Sequence, residues 1–317
     1  MKRWGLILAL LGFLFTGAVS YRPPATISRA ALGKKLFFEP MLSADSSVSC
    51  SSCHKPAFAF ADTVAFSAGI GGNRTKRNVP SVLNMKNRPY FFWDGRAESL
   101  EAQALMPIQN PDEMGLPVAE AVKRLNQHKI YADLFQQCFH EAATPKNLGL
   151  ALAAFEETLE TVDSKFDDWS NNMAKLSASE ERGRRLFVGN KARCFECHSE
   201  EDFTDDSFKS IGLFNGTDLN DSGQYLITGR TEDIAKFKVP GLRNVALTAP
   251  YMHNGQFRTL EEVIDYYVNP YRFVKNPQYL DPRIKRGLSL TSQDKKDLVA
   301  FLKTLSDRKY LKARNQH

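Results

Sequence analysis

The stretches "CSSCH" (50–54) and "CFECH" (194–198) each place two cysteines and a histidine in the pattern C-x-x-C-H. This pattern is the attachment signature of c-type haem, in which two thiols bind the vinyl groups of one porphyrin and the histidine ligates the iron. Local disulfides, a zinc site that uses both clusters, and chance are the alternatives. The sequence therefore predicts two covalently bound haem c groups, held by Cys50, Cys53 and His54 and by Cys194, Cys197 and His198.

Both clusters lie in copies of a longer repeat. "ALGKKLFFEPMLSADSSVSCSSCH" (31–54) and "ERGRRLFVGNKARCFECH" (181–198) share a glycine, two basic residues and Leu-Phe ahead of the haem motif. Downstream, segments 77–103 and 243–267 each contain a turn signal, Asp-Gly or Asn-Gly, before a helix-like stretch. A repeat of this size predicts two homologous domains, each with its own core. A shared zinc site is disfavoured because each copy contains a complete cluster.

Composition and periodicity indicate the fold class. The chain has 317 residues, 43% hydrophobic and 25% charged, which is typical of a folded globular protein. Apolar residues recur at helical spacing in 146–173 and 291–307, and strand-like alternation is scarce. We predict a mostly α protein with two cytochrome c-like haem domains and long loops, and a polar linker over 167–175. The expected divisions are a signal peptide (1–20), an N-terminal haem domain (21–165) and a C-terminal haem domain (176–317).

The N-terminus has the pattern of an export signal. Lys2 and Arg3 precede an apolar stretch from 6 to 15, and small residues follow at Ala18 and Ser20. A membrane anchor is the alternative, although the apolar run is shorter than the ~20 residues that a spanning helix needs. A periplasmic location is expected. The net charge of +6 is mixed through the chain and does not indicate nucleic-acid binding.

Two further segments carry a family resemblance. Together with the haem motifs, "FFWDGRAESLEAQALMPIQNPDEM" (91–114) and "LRNVALTAPYMHNGQFRTLEEV" (242–263) resemble the bacterial dihaem cytochrome c peroxidase family, which includes the methylamine utilisation protein MauG. The resemblance runs from 28 to 307. It implies that the N-terminal haem reacts with hydrogen peroxide. The C-terminal haem would accept electrons from a small donor protein, a cytochrome c or a cupredoxin.

The resemblance also implies roles for individual residues. Trp93 matches a tryptophan that relays electrons between the haems, and its alternative is a core aromatic. Gln103 and Glu113 match residues on the open face of the peroxide-reacting haem. Splitting the O–O bond requires a proton to move from one oxygen to the other, and a carboxylate can carry it. Glu113 is therefore expected to be the proton shuttle, although the residues alone, without the resemblance, favour an acidic loop.

A calcium ion at the domain interface is a further implication. The matching positions are Asn78 and the main chain of Thr248 and Pro250. Calcium prefers oxygen ligands, so these residue types permit it.

The sequence departs from many family members at two positions. Ile70 stands where a histidine often covers the peroxide-reacting iron, so we predict an N-terminal haem that is open to peroxide when fully oxidised. At the C-terminal haem, Tyr267 stands at the position of a methionine ligand, as in MauG, with Met252 as the rival ligand. Tyr266 and Tyr267 are also compatible with a plain aromatic core.

The expected activity is reduction of hydrogen peroxide to water with electrons from a small redox protein. A MauG-like oxidase that modifies a protein or an organic substrate is the alternative. A non-enzymatic carrier with two haems would leave the segment from Gln103 to Glu113 unexplained. The sequence does not specify the electron donor, or whether the protein forms a homodimer.

Overall fold

The computed structural model describes residues 27–199 and 201–314, and this part of the chain is mostly helical. The predicted fold class is confirmed. The predicted signal peptide, 1–20, lies outside the described residues. Between Ile27 and Arg314, leaving out position 200, no helix is long and apolar enough to cross a bilayer.

The α-helices of the described residues are, in chain order, α1 (Arg29–Phe37), α2 (Cys50–Cys53), α3 (Leu100–Gln109), α4 (Val118–Gln127), α5 (Lys129–Phe139), α6 (Pro145–Glu156), α7 (Lys165–Ser170), α8 (Ala178–Val188), α9 (Tyr225–Thr228), α10 (Leu260–Val268), α11 (Ser292–Lys303) and α12 (Arg308–Arg314). Two short strands, β1 (Phe208–Lys209) and β2 (Phe237–Lys238), pair antiparallel with Phe208 opposite Lys238. We call α1 to α7 the N-terminal half and α8 to α12 the C-terminal half.

The core of the N-terminal half is built where α1 crosses α6. Ser28 caps α1 by accepting a hydrogen bond from the Ala31 N–H, and Thr144 opens α6 in the same manner. At the crossing, a Cβ added to Gly33 would lie 1.8 Å from the carbonyl oxygen of Ala151. The two backbones therefore touch directly, and only glycine permits this approach.

The C-terminal half repeats the same crossing with α8 and α11. A Cβ added to Gly183 would lie 1.9 Å from the carbonyl oxygen of Asp297 and 2.8 Å from Cβ of Phe301. The glycine shared by the two sequence copies thus has one structural cause. Around it lies a separate cluster of buried apolar side chains, which includes Phe187, Phe203 and Phe301.

Ion pairs join the two halves. Arg88, whose side chain is 9% exposed, bonds Asp202 at 2.5 Å and Asp206 at 2.9 Å. Arg77 bonds Asp221 through two nitrogens, at 2.6 and 2.8 Å. The planar guanidinium group of each arginine presents several donors at once. These largely buried ion pairs therefore fix the orientation of the contact between the halves.

The segment expected to be a linker starts as a helix. Ser164 and Asp167 form a reciprocal cap, with the Asp167 N–H donating to Ser164 Oγ at 3.2 Å and Ser164 Oγ–H donating to Asp167 at 2.6 Å. This local capping box is sufficient to begin α7 inside a polar stretch. The chain between the halves is therefore only partly a linker.

Candidate functional site: two Cys-His centres and the residues between them

The first centre is the turn of α2. Cys50 and Cys53 are its first and last residues, and the His54 N–H closes the turn on the Cys50 carbonyl at 2.9 Å. His54 Nδ1 lies 3.1 Å from the carbonyl oxygen of Phe60. Since a carbonyl only accepts, Nδ1 carries the proton and Nε2 is left with its lone pair for a metal. A histidine oriented in this way is ready to ligate iron.

Both thiols of this centre are set in an apolar environment. Burial raises the pKa of Cys50 to about 12 and that of Cys53 to about 11. Zinc binding requires thiolates, which such surroundings disfavour. A thioether bond to haem leaves the sulfur uncharged, so neutral buried thiols beside an oriented histidine fit a covalent haem.

The second centre repeats this geometry. Cys194 begins a short 3-10 turn, and the His198 N–H donates to its carbonyl at 2.9 Å. His198 Nδ1 lies 3.0 Å from the carbonyl oxygen of Phe203. Burial raises the pKa of Cys194 to about 12 and also raises that of Cys197. The donor set therefore fits a second haem by the same reasoning.

Gln103 lies inside α3, and Glu113 lies in the loop that follows this helix. Pro107 lies within the last turn of α3. Gln103 Oε1 is buried and has no hydrogen-bond partner among the described residues. Glu113 Oε1 accepts from Asn110 Nδ2 at 2.8 Å. Burial raises the pKa of Glu113, and the charge of Arg96 together with the Asn110 bond opposes this rise. A carboxyl with its pKa raised toward neutrality can both accept and return a proton.

Ile70 belongs to a loop that is bonded to the Glu113 segment. The Ile70 N–H donates to the Glu113 carbonyl at 2.9 Å, and a Cβ on Gly69 would lie 2.2 Å from the Asp112 carbonyl oxygen. The Ile70 side chain covers Gly115, whose added Cβ would lie 2.3 Å from Ile70 Cδ1. An aliphatic side chain without a ligating atom therefore occupies the position where the resemblance led us to look for a histidine.

A cavity of about 340 Å³ adjoins the second centre. Its wall contains the second Cys-His cluster and also Trp93, Met252 and Tyr267. Burial raises the pKa of Tyr267, and the nearby Cys194 and Cys197 raise it further. The phenol therefore lies close to the two thiols, as a ligand of the same haem would.

The neighbouring tyrosine, Tyr266, packs into the core and not against the cavity. Tyr266 is fully buried, and its hydroxyl donates to the Ile211 carbonyl at 2.5 Å. The two side chains differ because consecutive positions on α10 point about 100° apart around the helix. Tyr266 is thus the core aromatic of the pair, while Tyr267 and Met252 both line the cavity.

Aromatic rings continue from Trp93 into the C-terminal half. Trp93 Nε1–H donates to the Asn78 carbonyl at 2.8 Å, and its ring lies 6.4 Å from that of His253 in an edge-to-face arrangement. His253 stacks on Phe237 with the ring centroids 3.8 Å apart. Burial lowers the pKa of His253 to about 4, so this ring is neutral. The Lys238 N–H also bonds the Trp93 carbonyl at 2.7 Å.

The expected calcium ligands lie along the same boundary. Asn78 N–H donates to the His253 carbonyl at 2.7 Å, and Asn78 Nδ2 donates to Val64 and Ala65 carbonyls at 3.2 and 3.4 Å. Thr248 and Pro250 line the cavity. Among residues 27–199 and 201–314, no three His, Cys, Asp or Glu side chains are grouped as a metal site. The donors on offer are therefore neutral oxygens, which calcium accepts and zinc does not favour.

Comparison with known proteins identifies the family. A family model described as di-haem cytochrome c peroxidase matches residues 28–175, and one described as cytochrome c matches 180–306. The methylamine utilization protein MauG of Methylorubrum extorquens is 41% identical over 285 residues, which are 89% of this chain and 79% of that protein. This chain belongs to the di-haem cytochrome c peroxidase family. Members of this family are oxidoreductases that carry haem c, so the resemblance deduced from the sequence is confirmed.

Other relatives include a peroxidase and a MauG-like protein. The cytochrome c551 peroxidase of Nitrosomonas europaea is 34% identical over 287 residues, which cover 89% of this chain and 81% of that protein. The crystal structure of a MauG-like protein associated with microbial copper homeostasis aligns with a TM-score of 0.81 and 34% identity, and it covers 88% of this chain and 89% of that one. The peroxidase and the MauG-like protein are thus each similar to this chain over more than four-fifths of their own length.

Sequence reasoning missed Arg96 and the residues that hold the histidines. Arg96 follows the Asp94-Gly95 turn, stacks its guanidinium 3.6 Å from the Phe92 ring, and bonds Asp94 at 3.0 Å. A signal for the histidine partners was present, since a Phe-x-Asp pattern follows each motif, at Phe60 and at Phe203. The pattern indicates a shared local turn, but its function becomes visible only when the carbonyl direction is known.

Proposed function

We propose that this protein reduces hydrogen peroxide to water with electrons from a small redox protein, using two covalently bound haem c groups. Cys50, Cys53 and His54 would hold one haem, and Cys194, Cys197 and His198 the other. The observation that carries the proposal is the contrast between the far sides of two equivalent centres. The first has a half-buried carboxyl, Glu113, whose charge acts on Cys50 and Cys53, and the second has a phenol, Tyr267, in the wall of its cavity.

The haems supply the redox chemistry, since each peroxide takes up two electrons and two protons and gives two waters. The chain supplies proton transfer and positioning. Glu113, in its ionised form, would accept a proton from one oxygen of peroxide and deliver it to the other. The unpartnered Oε1 of Gln103 can accept a hydrogen bond from the same peroxide. The positive charge of Arg96 favours the ionised form of Glu113.

Electron entry is assigned to the C-terminal haem. Trp93 lines the cavity of that centre and is bonded to main-chain groups of both halves, through Asn78 and Lys238. An easily oxidised ring that is held from both sides suits transfer between the haems. The donor would be a small cytochrome c or a cupredoxin.

Steady-state turnover with peroxide and reduced cytochrome c tests the proposal. We expect rapid consumption of both, and a loss of at least about a hundredfold in kcat/KM for Glu113→Gln, since a positioned acid–base group typically contributes 10²–10⁴. Glu120→Gln on α4 is the matched control, because Glu120 is 41% exposed and pairs only with Lys123. Equal turnover of the two variants would remove Glu113 from the mechanism.

A MauG-like oxidase is the second candidate, and Tyr267 is the observation that favours it. A phenolate is a hard anionic ligand that stabilises oxidised iron, whereas the thioether of Met252 favours the reduced state. We favour Tyr267 as the second ligand of the C-terminal haem. Negligible turnover with reduced cytochrome c, together with a long-lived oxidised spectrum after one equivalent of peroxide, would support the oxidase over the peroxidase.

The N-terminal haem is proposed to be open in the oxidised protein because Ile70 supplies no ligating atom. Electron paramagnetic resonance of the oxidised protein should then contain a high-spin signal. Two purely low-spin signals would contradict this assignment. The division into haem domains at 21–165 and 176–317 is part of the same proposal, supported by the separate apolar clusters around the two helix crossings.

Calcium and export complete the proposal. Asn78 with the main chain of Thr248 and Pro250 would bind the ion, and chelation should then change the haem spectra reversibly. The periplasmic location predicts that the mature protein begins after Ser20. The mass of the purified protein, measured by mass spectrometry, shows both whether the chain is cleaved after Ser20 and whether two haems are attached.

A further inference from the structure

One of the two backbone carbonyls that act on each histidine comes from strained backbone, and the other belongs to Pro80 at His54 and to Pro240 at His198. Phe60 and Phe203 have φ of +55° and +60°, and Ala59 beside Phe60 has φ of +53°. Residues with a Cβ seldom adopt this left-handed region, and they keep it only where their surroundings enforce it. Both phenylalanines are 5% exposed. Their conformation is maintained by main-chain bonds, such as the one that the Phe60 N–H donates to the Lys55 carbonyl at 2.9 Å, and by the side chains packed around their rings.

Two rings of this packing are the same in both halves. Phe37 lies 5.9 Å from Phe60, and Phe187 lies 5.9 Å from Phe203. The next ring comes from the helix that crosses behind. Phe155 on α6 lies 5.2 Å from Phe37, and Phe301 on α11 lies 5.2 Å from Phe187. These contacts stay within each half.

The third ring comes from the other half in both cases. Phe166, on α7, packs edge-to-face on Phe203 at 5.0 Å. Tyr310, on α12, packs edge-to-face on Phe60 at 6.2 Å and is 3% exposed. Phe166 and Tyr310 are equivalent in the repeat, since the same number of residues separates them as separates His54 from His198. The N-terminal half thus covers the C-terminal centre, and the C-terminal half covers the N-terminal centre.

We call the segment that carries Phe166 and the segment that carries Tyr310 the two arms. They cross where two short extended segments, 163–164 and 307–308, lie side by side. The Arg308 N–H donates to the Asp163 carbonyl at 3.0 Å, and Ser164 pairs antiparallel with Asp307. Asp163 and Asp307 are equivalent in the repeat, as are Ser164 and Arg308, so the two segments that pair here are equivalent parts of the two halves. Arg308 also forms ion pairs with Asp163 and Asp168. These contacts at the crossing therefore fix the position from which each arm extends into the opposite half.

We propose that Tyr310 and Phe166 are positioning residues, each of which holds the histidine-binding carbonyl of the opposite half. This inference rests on the proposed haem attachment but not on the peroxidase reaction. Hydrogen bonding of Nδ1–H to a carbonyl makes the imidazole a stronger donor to iron, which stabilises the ferric state. Loss of the covering ring releases the left-handed backbone, weakens this bond and raises the reduction potential of the haem in the other half.

Redox titration of the purified dihaem protein tests the inference, with the potentials of the two haems resolved by their spectra. Tyr310→Ala should raise the potential of the N-terminal haem and leave that of the C-terminal haem unchanged. Phe166→Ala should give the reverse pattern. Tyr310→Phe, which keeps the ring, should restore the wild-type potential. Leu311→Ala removes a 41% exposed neighbour on the same arm and should have no effect.

A general loss of stability would not shift the potential of only the haem in the opposite half. Equal shifts at both haems, a shift confined to the half that carries the substitution, or no shift would each overturn the inference. If Tyr310→Ala is not recovered, Tyr310→Leu fills the volume without an aromatic edge and gives the same comparison. Loss of one haem, counted by the pyridine haemochrome spectrum and located at Cys50 and Cys53 by peptide mass spectrometry, would support the inference. An inactive protein with the crossed shifts would refute only the peroxidase reaction.

Discussion

Replacing Gly183 by alanine tests whether the helix crossings position the two centres. An alanine Cβ would lie 1.9 Å from the Asp297 carbonyl oxygen and 2.8 Å from Phe301 Cβ, so α8 and α11 must separate by about 1.5 Å to restore ordinary contact. Alanine in a helix is favoured over glycine by about 1 kcal/mol. Overpacking of a close-packed crossing costs about 1–3 kcal/mol, and more where the obstacle is backbone that cannot move aside. We therefore expect Gly183→Ala to lower the free energy of unfolding by about 2–3 kcal/mol in spite of its better helix propensity.

Guanidinium unfolding of the holoprotein measures this change. It should be followed by circular dichroism and by haem absorption, because two halves need not unfold together. Gly33→Ala is the equivalent change in the N-terminal half, where the added Cβ would lie 1.8 Å from the Ala151 carbonyl oxygen. Gly229→Ala is the control, since nothing lies within 4 Å of its added Cβ, and its positive φ alone costs about 1–2 kcal/mol. A Gly183→Ala protein as stable as the wild type, or more stable, would refute the reasoning.

Three further changes test other parts of the structure. Burial raises the pKa of Glu156 to about 8 from 4.5, so the folded state retains a proton that the unfolded state has lost, and stability should fall by up to about 3 kcal/mol between pH 4.5 and 7. Glu156→Gln should abolish this fall in urea unfolding at the two pH values, and parallel curves for both proteins would count against a buried neutral acid. Tyr267→Met should raise the potential of the C-terminal haem in redox titration, because a thioether favours reduced iron, and an unchanged potential would exclude the phenol as its ligand. Trp93→Phe should slow electron transfer between the haems by more than about tenfold in stopped-flow experiments, equivalent to about 1.4 kcal/mol in the barrier. Trp169→Phe, a change in the half-buried tryptophan of α7, should not slow it.

Local pattern was sufficient for the mostly helical fold class and for the repeat. C-x-x-C-H carries its chemistry within five residues, and the glycine of each lead-in marks a helix crossing because only a missing Cβ permits backbone contact. The capping residues Thr144 and Thr291 also lie where the sequence indicates helix starts. These features depend on neighbours in the chain, so one sequence contains them.

Features that depend on distant packing were not predictable. Tyr266 and Tyr267 are adjacent in sequence, and only the rotation of α10 decides that Tyr266 enters the core while Tyr267 lines the cavity. Arg96 is an ordinary turn residue until its charge is seen to act on Glu113. The repeat suggested two self-contained domains, whereas Tyr310 belongs to the apolar core of the N-terminal half. Periodicity identifies which side chains are buried, but it does not state against which partner.

The crossing of the two arms also bears on the origin of the chain. Equivalent segments that exchange places across a symmetric antiparallel pair are the pattern of a domain-swapped homodimer, in which identical subunits trade one element. Joining two such subunits end to end by gene duplication would preserve the exchange within a single polypeptide. On this account the ancestor was a dimer of one-haem subunits. Either half expressed alone should then leave one aromatic cluster uncovered and associate with a second copy of itself.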